Sequence, residues 1–93
     1  MTNLFDLEYD HDDDVLYVTK KANEPAYAQE EEPGVFWRYS ATDNSLVGMT
    51  VVDFKSYWQP RVESLMRQFS DHFHVSTGEA LEMFDGLRNQ KHL

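Results

Sequence analysis

Apolar and polar residues alternate through Leu4-Phe5-Asp6-Leu7-Glu8-Tyr9, with Phe5, Leu7 and Tyr9 on one side and Asp6 and Glu8 on the other. A period of two predicts a half-buried strand. Asp10 to Asp14 is polar, and Val15-Leu16-Tyr17-Val18-Thr19 is a β-branched and aromatic run that predicts a second strand and hence a hairpin. Between Lys20 and Pro33 the pattern dissolves, with two prolines and three consecutive glutamates, so this stretch reads as a long solvated connection from which Tyr27 packs back onto the body. Two further strands are expected over Val35–Ser40 and Leu46–Phe54, joined by a turn at Asp43-Asn44, residues that tolerate positive φ.

The period then changes. Trp58, Val62, Leu65, Met66, Phe69 and Phe73 recur at steps of three and four, which predicts an amphipathic helix from about Ser56 to Phe73 whose stripe covers one sheet face. Pro60 is compatible only with its first turn, so the helix starts between Ser56 and Pro60. Ser76-Thr77-Gly78-Glu79 has capping-box spacing and opens a shorter helix, Ser76–Asn89, with Ala80, Leu81, Phe84 and Leu87 on its apolar side. The fold class expected is α+β: a four-stranded antiparallel β-meander followed by one long and one short helix packed on the sheet.

With 93 residues, the chain is expected to be a single domain over 1–93, divided into an acidic sheet part (1–54) and a helical part (55–93). Hydrophobic residues make up 41%, enough for a folded core. There is no cysteine, which excludes disulfides, thiolate catalysis and thiolate metal sites. No apolar run approaches the ~20 residues of a membrane helix, and Met1 to Asp10 lacks the basic-then-apolar pattern of a leader. A cytoplasmic protein with no membrane association is expected.

The net charge of −9 is unevenly placed. Residues 1–54 hold 12 acidic residues against Lys20, Lys21 and Arg38, while residues 55–93 hold five of each sign. Such a field repels phosphate backbones, so direct nucleic-acid binding is not expected and a basic protein is the natural partner.

Asp10-His11-Asp12-Asp13-Asp14 places alternate carboxylates as a calcium loop begins, but the positions needing glycine and the closing glutamate are Val15 and Lys21. An Asp-rich hairpin turn, with Asp10 and Asp14 bonding to backbone, explains the residues more simply. His72 and His74 diverge at a helix end, where the macrodipole alone favours histidine. Nothing brings Ser40, His72 and Asp53 together, and there is no nucleophile elbow or phosphate-cradling glycine loop. No catalytic residue, metal ligand or cofactor is assigned. Phe36, Trp37 and Tyr39 are the aromatic residues that suggest recognition: Phe36 and Trp37 point to opposite faces, so at least one of them belongs to a second buried surface, and such rings are common binding hot spots.

YDHDDDVLYV at 9–18 and SLVGMTVVDF at 45–54 resemble the small bacterial proteins of the domain of unknown function 2283 family. Their hallmark is a Y-D-x-x-x-D-x-L-Y-[IV] hairpin followed by a hairpin ending in an L-V-G-h-x-h strand. Tyr9, Asp10, Asp14, Leu16, Tyr17, Val18, Leu46, Val47, Gly48, Met49 and Val51 fall on those positions. Asn44 stands at the turn glycine, Thr50 where glutamate is common and Ala41 where aspartate is common. The resemblance covers about residues 4–54 and implies an antiparallel β-meander without established enzymatic activity. It also implies, by analogy of context, an antitoxin-like role.

The expected function is thus a non-enzymatic, acidic protein-binding module, an antitoxin-like neutraliser of a basic partner such as a toxin. Glu30, Glu31, Glu32, Asp10, Asp12, Asp13 and Asp14 would steer the encounter, and Phe36, Trp37 and Tyr39 would supply buried contact. One alternative is an acidic inhibitor or nucleic-acid mimic acting on a DNA- or RNA-processing enzyme. Another is a metal-dependent enzyme using the Asp10 to Asp14 carboxylates. A homodimer through an exposed sheet edge is a further expectation.

Overall fold

The alternating and β-branched segments form one antiparallel sheet in the computed structural model, which describes residues 5–20 and 24–88, the side chains of 85–88 excepted. The strands are β1 (Asp6–Asp10), β2 (Val15–Thr19), β3 (Ala26–Glu32), β4 (Val35–Ser40) and β5 (Leu46–Val52). Leu4, Lys21, Asn89 and the side chain of Leu87 lie outside this description. The chain divides into two compact units, residues 1–56 and 57–93. The class is α+β as expected, with five strands rather than four.

The additional strand is β3, in the stretch read as a solvated connection. Six of its seven residues are exposed, and it is held by backbone pairing to β4 and by a stacked Tyr27–Tyr39 pair with centroids 5.7 Å apart. An edge strand with little burial on either side carries no hydrophobic alternation, so the pattern that reveals strands is missing.

Strand order is β1-β2-β5-β4-β3, which is not a simple up-and-down run. Two hairpins, β1–β2 and β3–β4, flank β5, the most continuously buried strand. Leu16 pairs with Val51 and Val18 with Met49, while Val35 and Trp37 meet Val51 and Met49 from the other side. Paired residues share a face, and these six side chains, at most 2% exposed, form the buried face of the sheet. Gly48 lies where β2 approaches closely: a Cβ there would sit 2.8 Å from the Val18 carbonyl oxygen.

The expected single helix from Ser56 is instead a succession of three elements. Phe54–Trp58 makes one turn of π-helix and Gln59–Arg61 a 3-10 turn containing Pro60, so α1 begins only at Val62 and runs to Phe73. Proline without its N–H suits this entry and not the helix interior. His74 ends α1 in the left-handed conformation (φ 58°). Ser76 then caps α2 (Thr77–Arg88), its hydroxyl accepting from the Glu79 amide at 3.1 Å while the Glu79 carboxylate accepts from the Ser76 amide, the reciprocal capping box. Among the described residues α1 and α2 each span 12 residues. Phe69 packs against Phe73 and Phe84, with Leu65 and Ala80 also buried.

Because Gly48 faces backbone rather than a yielding side chain, Gly48→Ala is expected to destabilise the protein by about 1–3 kcal/mol. Gly78, with only the Ser76 hydroxyl at 3.8 Å, gains helix propensity as alanine, up to ~1 kcal/mol. Urea denaturation of the two variants should move their midpoints in opposite directions.

Candidate functional site

Two hairpin turns of the sheet, both acidic, are tied to the end of β5. Asp14 closes the β1–β2 turn with φ 57°, and its carboxylate accepts four hydrogen bonds. The donors are the Tyr9 hydroxyl at 2.6 Å, the Lys55 amide at 2.8 Å, the Ser56 amide at 3.1 Å and the Ser56 hydroxyl at 3.0 Å. The Phe54 amide donates to the Asp14 carbonyl at 3.1 Å. At the other turn the Val52 amide donates to the Gly34 carbonyl at 2.8 Å, and Gly34 itself donates to Glu30 Oε2 at 2.9 Å. Residues 52–56 thus connect both turns.

This arrangement perturbs the ionisable groups involved. Burial pushes the Asp14 carboxyl upward, but the bonds from Tyr9, Lys55 and Ser56 outweigh it and hold the group at about 2. Burial first, then the bond to Asp14 and the charges of Asp14 and Asp10, push the Tyr9 phenol to about 12. Tyr39 is raised by burial and by Glu31, to which its hydroxyl donates at 3.3 Å. The Lys55 ammonium lies 5.2 Å from the centre of the Tyr9 ring.

The register brings together what the sequence separates. β1 and β3 both run toward the end of the sheet where Val15 pairs with Val52 and Val35 with Val51. Asp10, Asp12, Asp13 and Asp14 therefore share one end with Glu30, Glu31 and Glu32, although the two segments sit at opposite edges of the sheet, with β1 and β3 four strand spacings or about 19 Å apart. Asp12, Asp13 and the three glutamates are exposed. Asp10 and Asp14 are turn-formers, since Asp10 Oδ1 accepts from the Asp12 and Asp13 amides.

The second feature is the sheet face opposite the buried one. One cross-strand row reads Glu8, Tyr17, Thr50, Phe36, Glu30 from β1 to β3. A neighbouring row reads Asp10, Val15, Val52, and the row on the other side reads Asp6, Thr19, Gly48, Arg38, Ala28. Tyr17 is 41% exposed, and Val15, Thr50, Val52, Phe36 and Arg38 are partly exposed.

Of the aromatic residues expected to meet a partner, Trp37 is a correction. It is fully buried, on the face with Met49 and Val35, and belongs to the core. Phe36 is on the open face as its alternation with Trp37 requires, and Tyr39 is partly exposed beside Tyr27. Tyr17 joins Phe36 on the open face, a position legible in the sequence because Leu16 and Val18 on one side of β2 force Tyr17 to the other. His72 Nδ1 lies 2.9 Å from the Gln68 carbonyl oxygen. Among the described residues no group of three or more His, Asp or Glu is placed to hold a metal ion, and no helix is long and apolar enough to cross a membrane.

A family model described as protein of unknown function (DUF2283) matches residues 6–55, more than half of the chain. The match begins with β1 and ends at Lys55, whose amide anchors Asp14. No curated protein and no solved structure matches the chain.

Asp14→Ala is expected to cost about 1–2 kcal/mol, because the part-buried Tyr9 hydroxyl loses its charged acceptor while the exposed Lys55 and Ser56 donors turn to water, whereas Asp12→Ala and Asp13→Ala stay within about 0.5 kcal/mol. The Asp14 contribution is complete above the ordinary carboxyl value of 3.8 and is lost as pH falls through about 2. The neutral Tyr9 phenol is the form favoured by folding, so its contribution is complete below pH 10 and is lost as pH rises through about 12. Thermal melts across both windows check these signs, and the acid-side slope should flatten in Asp14→Ala.

Proposed function

We propose that this chain, which belongs to the DUF2283 family, is a non-enzymatic module that captures a basic protein partner. The observation that carries the reading is that the Asp10–Asp14 and Glu30–Glu32 segments lie at the same end of the sheet, one at each edge. Of the described cations in residues 5–56, Lys20, Arg38 and Lys55, only Lys55 lies at that end, and its ammonium is over the Tyr9 ring. A concentrated negative potential of this kind accelerates encounter with a positive surface and sets its orientation, and contact area then determines the lifetime. Phe36, Tyr39 and Tyr17 are accessible rings that would supply that area. Neutralisation of a toxin in the cytoplasm is the form of this function that the family resemblance suggests.

The combined variant Asp12→Asn, Asp13→Asn, Glu31→Gln, Glu32→Gln removes exposed charge while keeping Asp10 and Asp14 in their turn. Against the partner recovered with the tagged protein from its host, the wild-type association rate is expected to fall roughly tenfold from low to high ionic strength. The variant should start low and change little. Surface plasmon resonance measures both, and an association rate for wild type that ignores salt would contradict the reading.

A further inference from the structure

The open face of the sheet has a relief that suits one shape of partner. Its floor is β5, where Gly48, Thr50 and Val52 present no side chain larger than valine. Its walls are Val15 and Tyr17 on β2 and Phe36 and Arg38 on β4. Tyr17 and Phe36 stand opposite each other across Thr50, two strand spacings or about 10 Å apart. Beyond the walls, Glu8 on β1 and Glu30 on β3 close the same row, four spacings or about 19 Å apart. This is a shallow trough, apolar where Val15, Tyr17, Phe36 and Val52 line it and bounded at its Gly48 end by Thr19 and Arg38, with an acidic rim on both sides.

The geometry points to a basic amphipathic α-helix of a protein partner as the occupant of this trough, lying along β5 with its apolar stripe between Tyr17 and Phe36. This inference rests on the basic-partner reading above and gives the partner a shape. A helix with its side chains is about 10–12 Å across, wider than the gap between rings rooted about 10 Å apart, so it would rest on the walls with only its apolar stripe between them. Lysine or arginine on both flanks of the stripe would cover the rings with their methylene stems and reach the carboxylates of Glu8 and Glu30 with their charged heads.

Other occupants fit the same observations less well. An added strand needs an inviting edge, yet β1 carries Asp6, Glu8 and Asp10 and β3 carries three glutamates and a bulge between Glu30 and Glu32, devices that discourage edge pairing. A second copy pressed onto the trough would bring another net charge of −9 and another pair of acidic rims against the first.

The test uses the full ¹⁵N-labelled chain and two synthetic peptides of about 18 residues, or five helical turns. One has leucines at i, i+3, i+4 and i+7 with lysines on both flanks; the other has the same composition scrambled. The ordered peptide is expected to bind about tenfold more tightly and to shift the amides of Tyr17, Phe36, Thr50 and Val52. Tyr17→Ala with Phe36→Ala should abolish that preference. Glu8→Gln with Glu30→Gln, which keeps an acceptor for the Gly34 amide, should weaken binding of the ordered peptide and flatten its salt dependence while leaving the core untouched.

Equal binding of the two peptides, with shifts confined to residues 10–14 and 30–34, overturns the helix inference and leaves acidic capture standing. Failure of both peptides to bind at low salt overturns both. Sedimentation showing a dimer of the unliganded chain that Phe36→Ala dissociates would assign the face to a second copy and overturn the inference.

Discussion

The carboxylate of Asp14 joins the first hairpin to the end of the central strand, and the rest of the sheet unit depends on that junction. Its four donors come from Tyr9 on β1 and from Lys55 and Ser56 just past β5. A charged acceptor satisfying two backbone amides and two hydroxyls at once is a strong local constraint, because hydrogen bonds to an ionised group are stronger than neutral ones and all four here fix one geometry. With the first turn held to one side of residues 52–56 and the Gly34 turn held to the other, β5 is confined between two hairpins and its register is set on both edges.

That register has two consequences for function. It places the acidic turns at the same end of the sheet, although they are separated in sequence by all of β2 and the start of β3. It also puts the bulky apolar residues of β2, β4 and β5 on one face and leaves Tyr17 and Phe36 on the other, each backed by an acidic neighbour on the adjacent edge strand. Since side-chain direction alternates strictly along a strand, a slip of one residue would exchange the two faces. The Asp14 junction therefore supports recognition without belonging to the recognition surface.

The legible parts of the sequence were those in which one face is buried. β1, β2, β4 and β5 all announce themselves by alternation or by β-branched runs, and the Asn44 turn, with φ 63°, follows from asparagine's tolerance of the left-handed region. β3 was not legible because backbone pairing to β4 leaves no mark in its side chains. The place of β5 between β2 and β4 was equally hidden, since local pattern does not encode which strands pair across the chain. For Trp37, the alternation with Phe36 shows only that the two rings take opposite faces, not which of them belongs to the core. The cross-strand partners Met49 and Val35 decide which. The role of Asp14 could be anticipated as a turn-former, but its bonds to Lys55 and Ser56, more than forty residues away, could not.

Hydroxyl-radical footprinting of the protein alone and with its captured partner addresses the account most directly, because it reads side-chain accessibility where the faces of the sheet differ. Tyr17 and Phe36 should be modified in the free protein and protected in the complex, with Trp37 slow in both states. Unchanged reactivity at Tyr17 and Phe36, accompanied by protection of the exposed Tyr57 and Leu81 of the helical unit, would contradict it.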